Sequence, residues 1–258
     1  MRRVDHVFVP VVGLEPHLTL FSETLGLPVA WPISDKGGFR SCAVCAGNAN
    51  IEFILGAGRF ESFLTPSEPL TIRGIAFEPE DAESMVPMLD ERALEHGDAW
   101  TYTNEAGEPM FTNVFLSGMI SDAALAFICE YQGSTAADRR AVRDTFGSSG
   151  GGLLGVRGVS EITVGVSDMD QSGDLWGRFL APVEPDRYGR FTLPEGPAIR
   201  LRHSPIDGVQ GLVLEVGSLD RAREALREHD LLGPMRRSGV GLDYAHTGGL
   251  DVWLSERR

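Results

Sequence analysis

Hydrophobic and polar residues alternate in two stretches that lie far apart in the chain. VDHVFVPV at residues 4–11 and VSEITVGV at residues 159–166 both show the period of two that a half-buried β-strand requires. Each precedes a segment whose apolar residues recur at helical spacing, GLEPHLTLFSETLG and DMDQSGDLWGRFLA, with Phe21 and Trp176 at matching places. The repeated order of strand and helix predicts a duplicated supersecondary unit.

A second pair of similar segments lies between and after these. Residues 71–94 and residues 208–231 align without a gap, so that Gly74 matches Gly211, and each predicts a strand, a turn and a helix. Each predicted helix is followed by several strand-like runs, such as FRSCAVCAG and NVFLSG. We therefore predict an α+β fold of four βαβββ units that form two tandem modules, with the units at about residues 1–60, 68–133, 155–205 and 206–258.

The segment STAADRRAVRDTFGSSGGGLLG separates the second unit from the third. It predicts a helix that ends in a glycine-rich stretch of flexible composition. We expect a first module at residues 1–133, a helix and linker at 134–154, and a second module at 155–258. A chain of 258 residues accommodates two domains of this size.

Composition and charge restrict the classes of function. The formal net charge of −14 argues against a nucleic-acid-binding protein, because such proteins neutralise phosphates with a basic face. No segment approaches the roughly 18 apolar residues of a membrane helix, and the N-terminus lacks an apolar signal-type run. The three cysteines fit a reducing compartment, so we expect a cytoplasmic protein. A phosphate-binding Walker loop does not occur in the sequence.

Three segments carry a resemblance to a known superfamily. The strand VDHVFVPV, the helix GLEPHLTLFSETLGLPV and the later strand IEFI together resemble the vicinal oxygen chelate superfamily. Its members include glyoxalase I, methylmalonyl-CoA epimerase, extradiol dioxygenases and bleomycin-binding proteins. The run GIAFEPED is similar to that superfamily's HIAFEVxD turn, with glycine where histidine often stands. The resemblance covers nearly the whole chain and implies that paired units wrap clefts for small molecules.

The resemblance also implies where a divalent metal would bind. Its ligands would come from the first and last strands of each unit, which points to His6 and Glu52 in unit one. In unit two the corresponding positions are Gly74, which cannot ligate, and Ala126, or Glu130 if the register is shifted by four residues. Imidazole and carboxylate ligands suit Zn, Fe, Mn or Ni. We therefore expect either one such ion in the first module, held by His6, Glu52 and Glu130, or none.

The sequence leaves the pairing of the units open. If unit one paired with unit four in a swapped arrangement, Asp251 would join His6 and Glu52. In unit three, Glu161 and Arg200 occupy the positions that correspond to ligands. Since a guanidinium group repels a divalent cation, we interpret these two residues as an ion pair that faces a cleft and binds substrate. Aromatic residues of the first module are further candidates for substrate binding, namely Trp31, Phe39, Trp100, Tyr102 and Phe111.

Two functions are compatible with these residues. One is a metal-dependent lyase, isomerase or dioxygenase in which Glu52 and Glu130 are catalytic and the metal stabilises an oxygen-bearing intermediate. The other is a metal-free protein that binds a small molecule, as in antibiotic resistance, and the glycines at 74 and 211 favour it. A metal-free enzyme with Glu52 or Glu161 as general base is intermediate between them. The expected partner is a small molecule rather than nucleic acid or a membrane, and the chain is expected to be a monomer or a homodimer.

Overall fold

The chain forms two curled β-sheets with helices packed against them, and the computed structural model describes residues 1–56, 61 and 64–256. The predicted α+β fold of tandem βαβββ modules is thereby confirmed. The first sheet has the strand order β2-β3-β4-β1-β5-β8-β7-β6. Its strands are β1 (Arg3–Pro10), β2 (Val29–Asp35), β3 (Phe39–Cys45), β4 (Asn50–Gly56), β5 (Gly74–Glu78), β6 (Trp100–Thr103), β7 (Pro109–Ser121) and β8 (Ala124–Tyr131).

The second sheet contains the strands of the C-terminal half, in the order β10-β11-β9-β12-β15-β14-β13. Its strands are β9 (Val156–Val166), β10 (Arg190–Phe191), β11 (Ala198–His203), β12 (Gly208–Val216), β13 (Leu232–Arg236), β14 (Gly239–Leu242) and β15 (Val252–Glu256). The helices are α1 (Leu14–Leu18), α2 (Met85–Glu91), α3 (Gly133–Phe146), α4 (Met169–Leu180), α5 (Leu219–Glu228) and α6 (Tyr244–Thr247). A π-helical turn at Thr19–Thr24 continues α1, and a 3₁₀ turn at Gly147–Ser149 follows α3. Among the described residues, no helix is both long and apolar enough to span a membrane.

Both sheets have the same internal arrangement. In the first, β1 is parallel to β4 and antiparallel to β5, which is in turn parallel to β8. In the second, β9 is parallel to β11 and antiparallel to β12, which is parallel to β15. Units one and two therefore share a sheet, as do units three and four, and the swapped pairing of unit one with unit four does not occur. Unit three departs from the predicted pattern, because only β10 and β11 follow its helix.

The hydrophobic core is continuous between the two halves. Phe77 of the first sheet packs edge-on against Trp176 and Phe179 of α4, with ring centroids 6.1 and 5.0 Å apart. The Trp176 Nε1–H donates a hydrogen bond to the Met119 carbonyl oxygen at 3.0 Å. Bulky aromatic side chains at helical spacing thus attach α4 of the second half to the sheet of the first.

Two arginines at helix ends exchange hydrogen bonds across the halves. Arg92, just after α2, donates from Nη1 to the carbonyl oxygens of Arg178 and Phe179 at 3.2 and 2.8 Å. Arg178, in the last turn of α4, donates from Nη1 to the carbonyl oxygens of Arg92 and Ala93 at 3.0 and 2.8 Å. The last carbonyl groups of a helix have no partner inside the helix, so each guanidinium supplies donors that the other helix lacks.

The glycine-rich stretch after α3 is closely packed rather than an open linker. Gly151 and Gly152 have φ values of +76° and +65°, a region that glycine enters without strain. A Cβ atom on Gly152 would lie 2.2 Å from the Leu25 carbonyl oxygen, and the Leu153 N–H donates to that same oxygen at 2.8 Å. The glycines therefore allow the backbone at Gly152 to pack closely against the backbone of Leu25, although their composition predicts a flexible linker.

Candidate functional site

The inner face of the first sheet forms a cavity of about 280 Å³, here called the first cleft. Its walls are mainly aromatic and aliphatic, and α3 and the β2–β3 segment contribute at its edges. Residues two apart on a strand point to the same face, so apolar side chains at alternate positions of the strands line the cavity together. The side chains that carry its chemistry are those of His6, Lys36, Glu52, Asn113 and Arg139.

His6 lies between two carboxylates. Its Nδ1 is 2.8 Å from Asp5 Oδ2, and its Nε2 is 3.4 Å from Glu52 Oε2. All three residues are buried. The ring also makes edge contacts with Trp31 and Phe127, at centroid distances of 5.9 and 5.6 Å. These contacts fix the plane of the imidazole, so that Nε2 is directed toward Glu52.

A β-bulge brings Asp5 to His6. Neighbouring residues of a regular strand point to opposite faces, but the register of β1 against β5 shifts between Val4 and His6. Burial alone would raise the pKa of Asp5. The hydrogen bond and charge of His6, together with the charges of Arg139 and Arg3, overcome that effect and lower the pKa to about 2. Asp5 is therefore ionised and accepts a hydrogen bond from Nδ1–H, which leaves Nε2 facing Glu52.

Arg139 closes one end of the first cleft from α3. Its guanidinium carbon lies 3.4 Å from the centroid of the Trp31 ring and 4.7 Å from that of Tyr131. Its Nη1 donates to the Ala30 carbonyl oxygen at 3.3 Å, while its buried Nε has no acceptor among the described residues. Burial, and then the charge of Arg139, lower the pKa of Lys36, and Glu52 opposes this shift. Two cationic side chains thus approach the same region of the cleft.

Asn113 supplies a further polar group. It is buried on β7, and its Oδ1 has no hydrogen-bond partner among the described residues. A buried acceptor without a donor is costly, so this oxygen is a position for an N–H or O–H group of a bound molecule. The alternation of Phe111, Asn113 and Phe115 along β7 is the sequence signal that could have identified it.

The predicted aromatic residues are distributed differently within this region. Trp31, Phe39, Trp100 and Phe111 line the first cleft. Tyr102 stacks on Phe111, at 5.2 Å between centroids, but is not among the residues that line the cleft.

The structure does not bring Glu130 or Asp251 together with His6. On β8 the cleft-facing residues are Phe127, Cys129 and Tyr131, so Glu130 points to the opposite face. Burial, and then the charge of Asp81, raise the pKa of Glu130, against a hydrogen bond with Gln132. Asp251 precedes β15 in the second sheet, where its Oδ1 accepts hydrogen bonds from Tyr244 and Trp253 at 2.7 and 2.8 Å. The swapped metal site therefore does not form.

The remaining ligand positions of the first cleft are filled by rings. A Cβ atom on Gly74 would lie 1.9 Å from Cε1 of Phe8, so the Phe8 ring occupies the space of a side chain on β5. On β8, the cleft-facing ring beside His6 is that of Phe127, and the predicted position Ala126 points to the opposite face. Among the described residues, no three His, Cys, Asp or Glu side chains are placed to hold a metal ion. Since a catalytic metal usually takes three protein ligands, the donors present at His6 and Glu52 do not fit one.

Glu161 and Arg200 lie in another cavity, of about 760 Å³, on the second sheet. This second cleft is bounded by strands β9, β11, β12 and β15 and by residues 71–73 and 121–124 of the first half. Arg200 Nη1 and Glu161 Oε1 are 3.5 Å apart, and Arg190 Nε reaches the other carboxylate oxygen at 3.5 Å. The two predicted residues are thus paired with each other, apart from His6 and Glu52.

Comparison with known proteins places the fold among solved structures. No family model and no curated protein sequence matches the chain. A hypothetical protein from Staphylococcus aureus superposes with a TM-score of 0.66 at 10% identity, covering 99% of both chains. A mutant of 4-hydroxymandelate synthase from Streptomyces coelicolor superposes with a TM-score of 0.63 at 12% identity, covering 100% of this chain and 93% of that one.

The fold is that of tandem glyoxalase-type modules. 4-Hydroxymandelate synthase has the vicinal oxygen chelate fold, so the fold implied by the resemblance is confirmed over the whole chain. Methylmalonyl-CoA epimerase from Mycobacterium tuberculosis matches 52% of the chain at 18% identity and a TM-score of 0.42. At 10% and 12% identity, the likeness to the first two structures concerns the fold alone and leaves the chemistry to the residues of the cleft.

Proposed function

We propose that the first cleft binds a flat, largely apolar small molecule and that the His6–Glu52 pair exchanges a proton with it without a metal ion. The observation that carries this proposal is the line from Asp5 through His6 to Glu52, with separations of 2.8 and 3.4 Å. Because Asp5 holds Nδ1, the groups that face the ligand are Nε2 and a buried carboxylate. A histidine held by a carboxylate is a common general acid or base.

The surrounding charges suit a reaction in which negative charge develops on the ligand. Glu52 can remove a proton from carbon next to a carbonyl group, and the resulting enolate oxygen would face the positive charges of Lys36 and Arg139. Preorganised cations in an apolar cavity stabilise such charge more strongly than water does. Return of the proton to the same or a neighbouring carbon completes an isomerisation or epimerisation. Asn113 Oδ1 would orient a donor group of the ligand.

A second candidate function is binding without reaction, as in sequestration of a toxic compound. The aromatic walls favour it, because rings of Phe111, Phe115 and Phe127 offer stacking surfaces around most of the cavity. Pockets lined in this way, with only a few polar groups, bind apolar ligands by burial of surface.

An exchange experiment distinguishes the two. The probe 2-tetralone is a flat bicyclic ketone with acidic protons next to its carbonyl group. Its binding is followed by saturation-transfer NMR, and replacement of those protons by deuterium in D₂O is followed by ¹H NMR. We expect the wild-type protein to accelerate exchange and Glu52→Gln to reduce the acceleration about 10²- to 10⁴-fold, the range typical of general bases. Glu228→Gln, on the exposed surface of α5, is the control.

Each outcome has a definite meaning. Equal acceleration by the wild type and Glu52→Gln would overturn the role of this carboxylate. Binding without accelerated exchange would favour sequestration. Absence of binding by the wild-type protein would contradict both candidate functions.

A further inference from the structure

The second cleft concentrates positive charge in an acidic protein. Four arginines line it, Arg73, Arg200, Arg202 and Arg236, although the chain carries a formal net charge of −14. They come from separate elements, one before β5, two on β11 and one at the end of β13. Their convergence is therefore a product of the fold rather than of a basic run in the sequence.

The positions of these arginines follow from local structure. Arg200 and Arg202 are two residues apart on β11, so both point away from the core that receives Ile199 and Leu201. The guanidinium carbon of Arg236 lies 3.6 Å from the centroid of the Trp253 ring, which holds the side chain against the wall of the cleft.

Arg73 stands at the opposite side of the cavity. Its Nη1 donates to the Ala123 carbonyl oxygen at 2.9 Å, and its buried Nε has no acceptor among the described residues. This contact fixes the guanidinium where β5 and β8 of the first sheet begin, so that both halves of the protein supply cations to the cleft.

The carboxylates of the second cleft are already engaged. Glu161 is shared by Arg190 and Arg200, Asp251 accepts from Tyr244 and Trp253, and Asp207 accepts from the Ser167 N–H. Within the described part of the chain, no carboxylate lies within 4.0 Å of the guanidinium groups of the other three arginines, Arg73, Arg202 and Arg236. These donors are available to an anion that the protein itself does not provide.

We propose that the second cleft binds a small organic molecule with at least two oxyanion groups. A guanidinium presents paired donors that match carboxylate and phosphate oxygens. Arg202 lies on β11 and Arg236 on β13, and four strands separate β11 from β13 in the sheet, so one compact ion would not engage both well. The cavity of about 760 Å³ is of the size that holds an organic ligand. Phosphate esters and polycarboxylates share the required chemistry. The proposal is independent of proton exchange in the first cleft.

Calorimetric titration with pyrophosphate and with citrate tests this site. We expect the double variant Arg202→Gln/Arg236→Gln to weaken binding of the preferred anion by about tenfold or more, because charge-assisted hydrogen bonds are lost. The matched control is Arg223→Gln/Arg227→Gln on α5, which removes the same charge away from the cleft and should change the dissociation constant less than about twofold. Quenching of Trp253 fluorescence by the anion, absent in Trp253→Phe, locates the binding.

The outcomes separate the sources of the anion and the alternatives. Tighter binding of pyrophosphate supports a phosphate ester, and tighter binding of citrate supports a polycarboxylate. Equal weakening in both double variants would show a general effect of charge and overturn the site, as would no binding of either anion by the wild-type protein. Circular dichroism verifies that the variants are folded. Glu52→Gln should retain anion binding, so failure of this site and failure of the first cleft are distinguishable.

Discussion

Replacement of Gly74 by alanine tests the packing that excludes a ligand side chain from β5. The new Cβ atom would lie 1.9 Å from Cε1, 2.5 Å from Cδ1 and 2.7 Å from Cζ of Phe8. Carbon atoms pack at roughly 3.5–4.0 Å, so the ring must move by more than an ångström. Phe8 is buried and packs against Phe127 at 6.1 Å between centroids, so this movement disturbs the wall of the first cleft.

We expect Gly74→Ala to lower the free energy of unfolding by about 1–3 kcal/mol, the cost typical of overpacking a core. The control Gly177→Ala lies within α4, where an added Cβ meets nothing within 4 Å. It should raise stability by about 0.5–1 kcal/mol, because alanine restricts the unfolded chain more than glycine does. Urea unfolding followed by far-UV circular dichroism measures both changes as shifts of the transition midpoint.

A double-mutant cycle identifies the cause. Phe8→Leu replaces the ring by a smaller side chain. In that background Gly74→Ala should lower the free energy of unfolding by less than it does alone, a coupling of about 1 kcal/mol or more. If Gly74→Ala left the midpoint unchanged, or if the effects of the two substitutions were additive, the reasoning that the Phe8 ring excludes a side chain from this position would be refuted.

Three further predictions concern charge, metal and thiols. The pKa of Asp5 falls from 3.8 to about 2 on folding, so its ionisation contributes about 2 kcal/mol to the free energy of unfolding above pH 4. This contribution is lost as the pH falls toward 2. Asp5→Asn should remove it, which denaturation curves recorded across this pH range measure. Elemental analysis of tag-free protein after incubation with Zn, Mn, Fe(II) or Ni should show no stoichiometric metal. A stoichiometric ion that His6→Ala abolishes would contradict the conclusion that the donors at His6 and Glu52 do not fit a metal ion. Burial, with smaller effects of Glu52 and Glu15, raises the pKa of Cys42 to about 12, and burial also raises the pKa values of Cys45 and Cys129. Ellman's reagent should therefore titrate the three thiols only after unfolding. Rapid reaction of the native protein would contradict this prediction.

The sequence predicted the repeated units because periodicity reports which residues face a core. The strands at residues 4–11 and 159–166 are observed as β1 and β9, and Phe21 and Trp176 are both fully buried. The resemblance to the superfamily pointed to His6 and Glu52, and the parallel pairing of β1 with β4 brings the two side chains together.

The rest of the site depends on features that periodicity does not encode. Asp5 reaches His6 through a bulge, and no residue type in VDHVFVPV marks its position. Arg139 belongs to a helix that reads as a connection between modules, and only the tertiary fold directs it toward Trp31. Glu130 was placed by an assumed register, and an error of one residue in a strand moves a side chain to the other face of the sheet.

The exchange of hydrogen bonds between Arg92 and Arg178 makes each half of the molecule a structural requirement of the other. A separately produced first half would leave the carbonyl oxygens at the end of α2 without the hydrogen bonds that Arg178 donates. It would also expose Phe77, which α4 covers. Both clefts therefore rest on one hydrophobic core that residues of both halves build. The two clefts belong to one folded unit with a continuous core, even though the chain is built from repeated units.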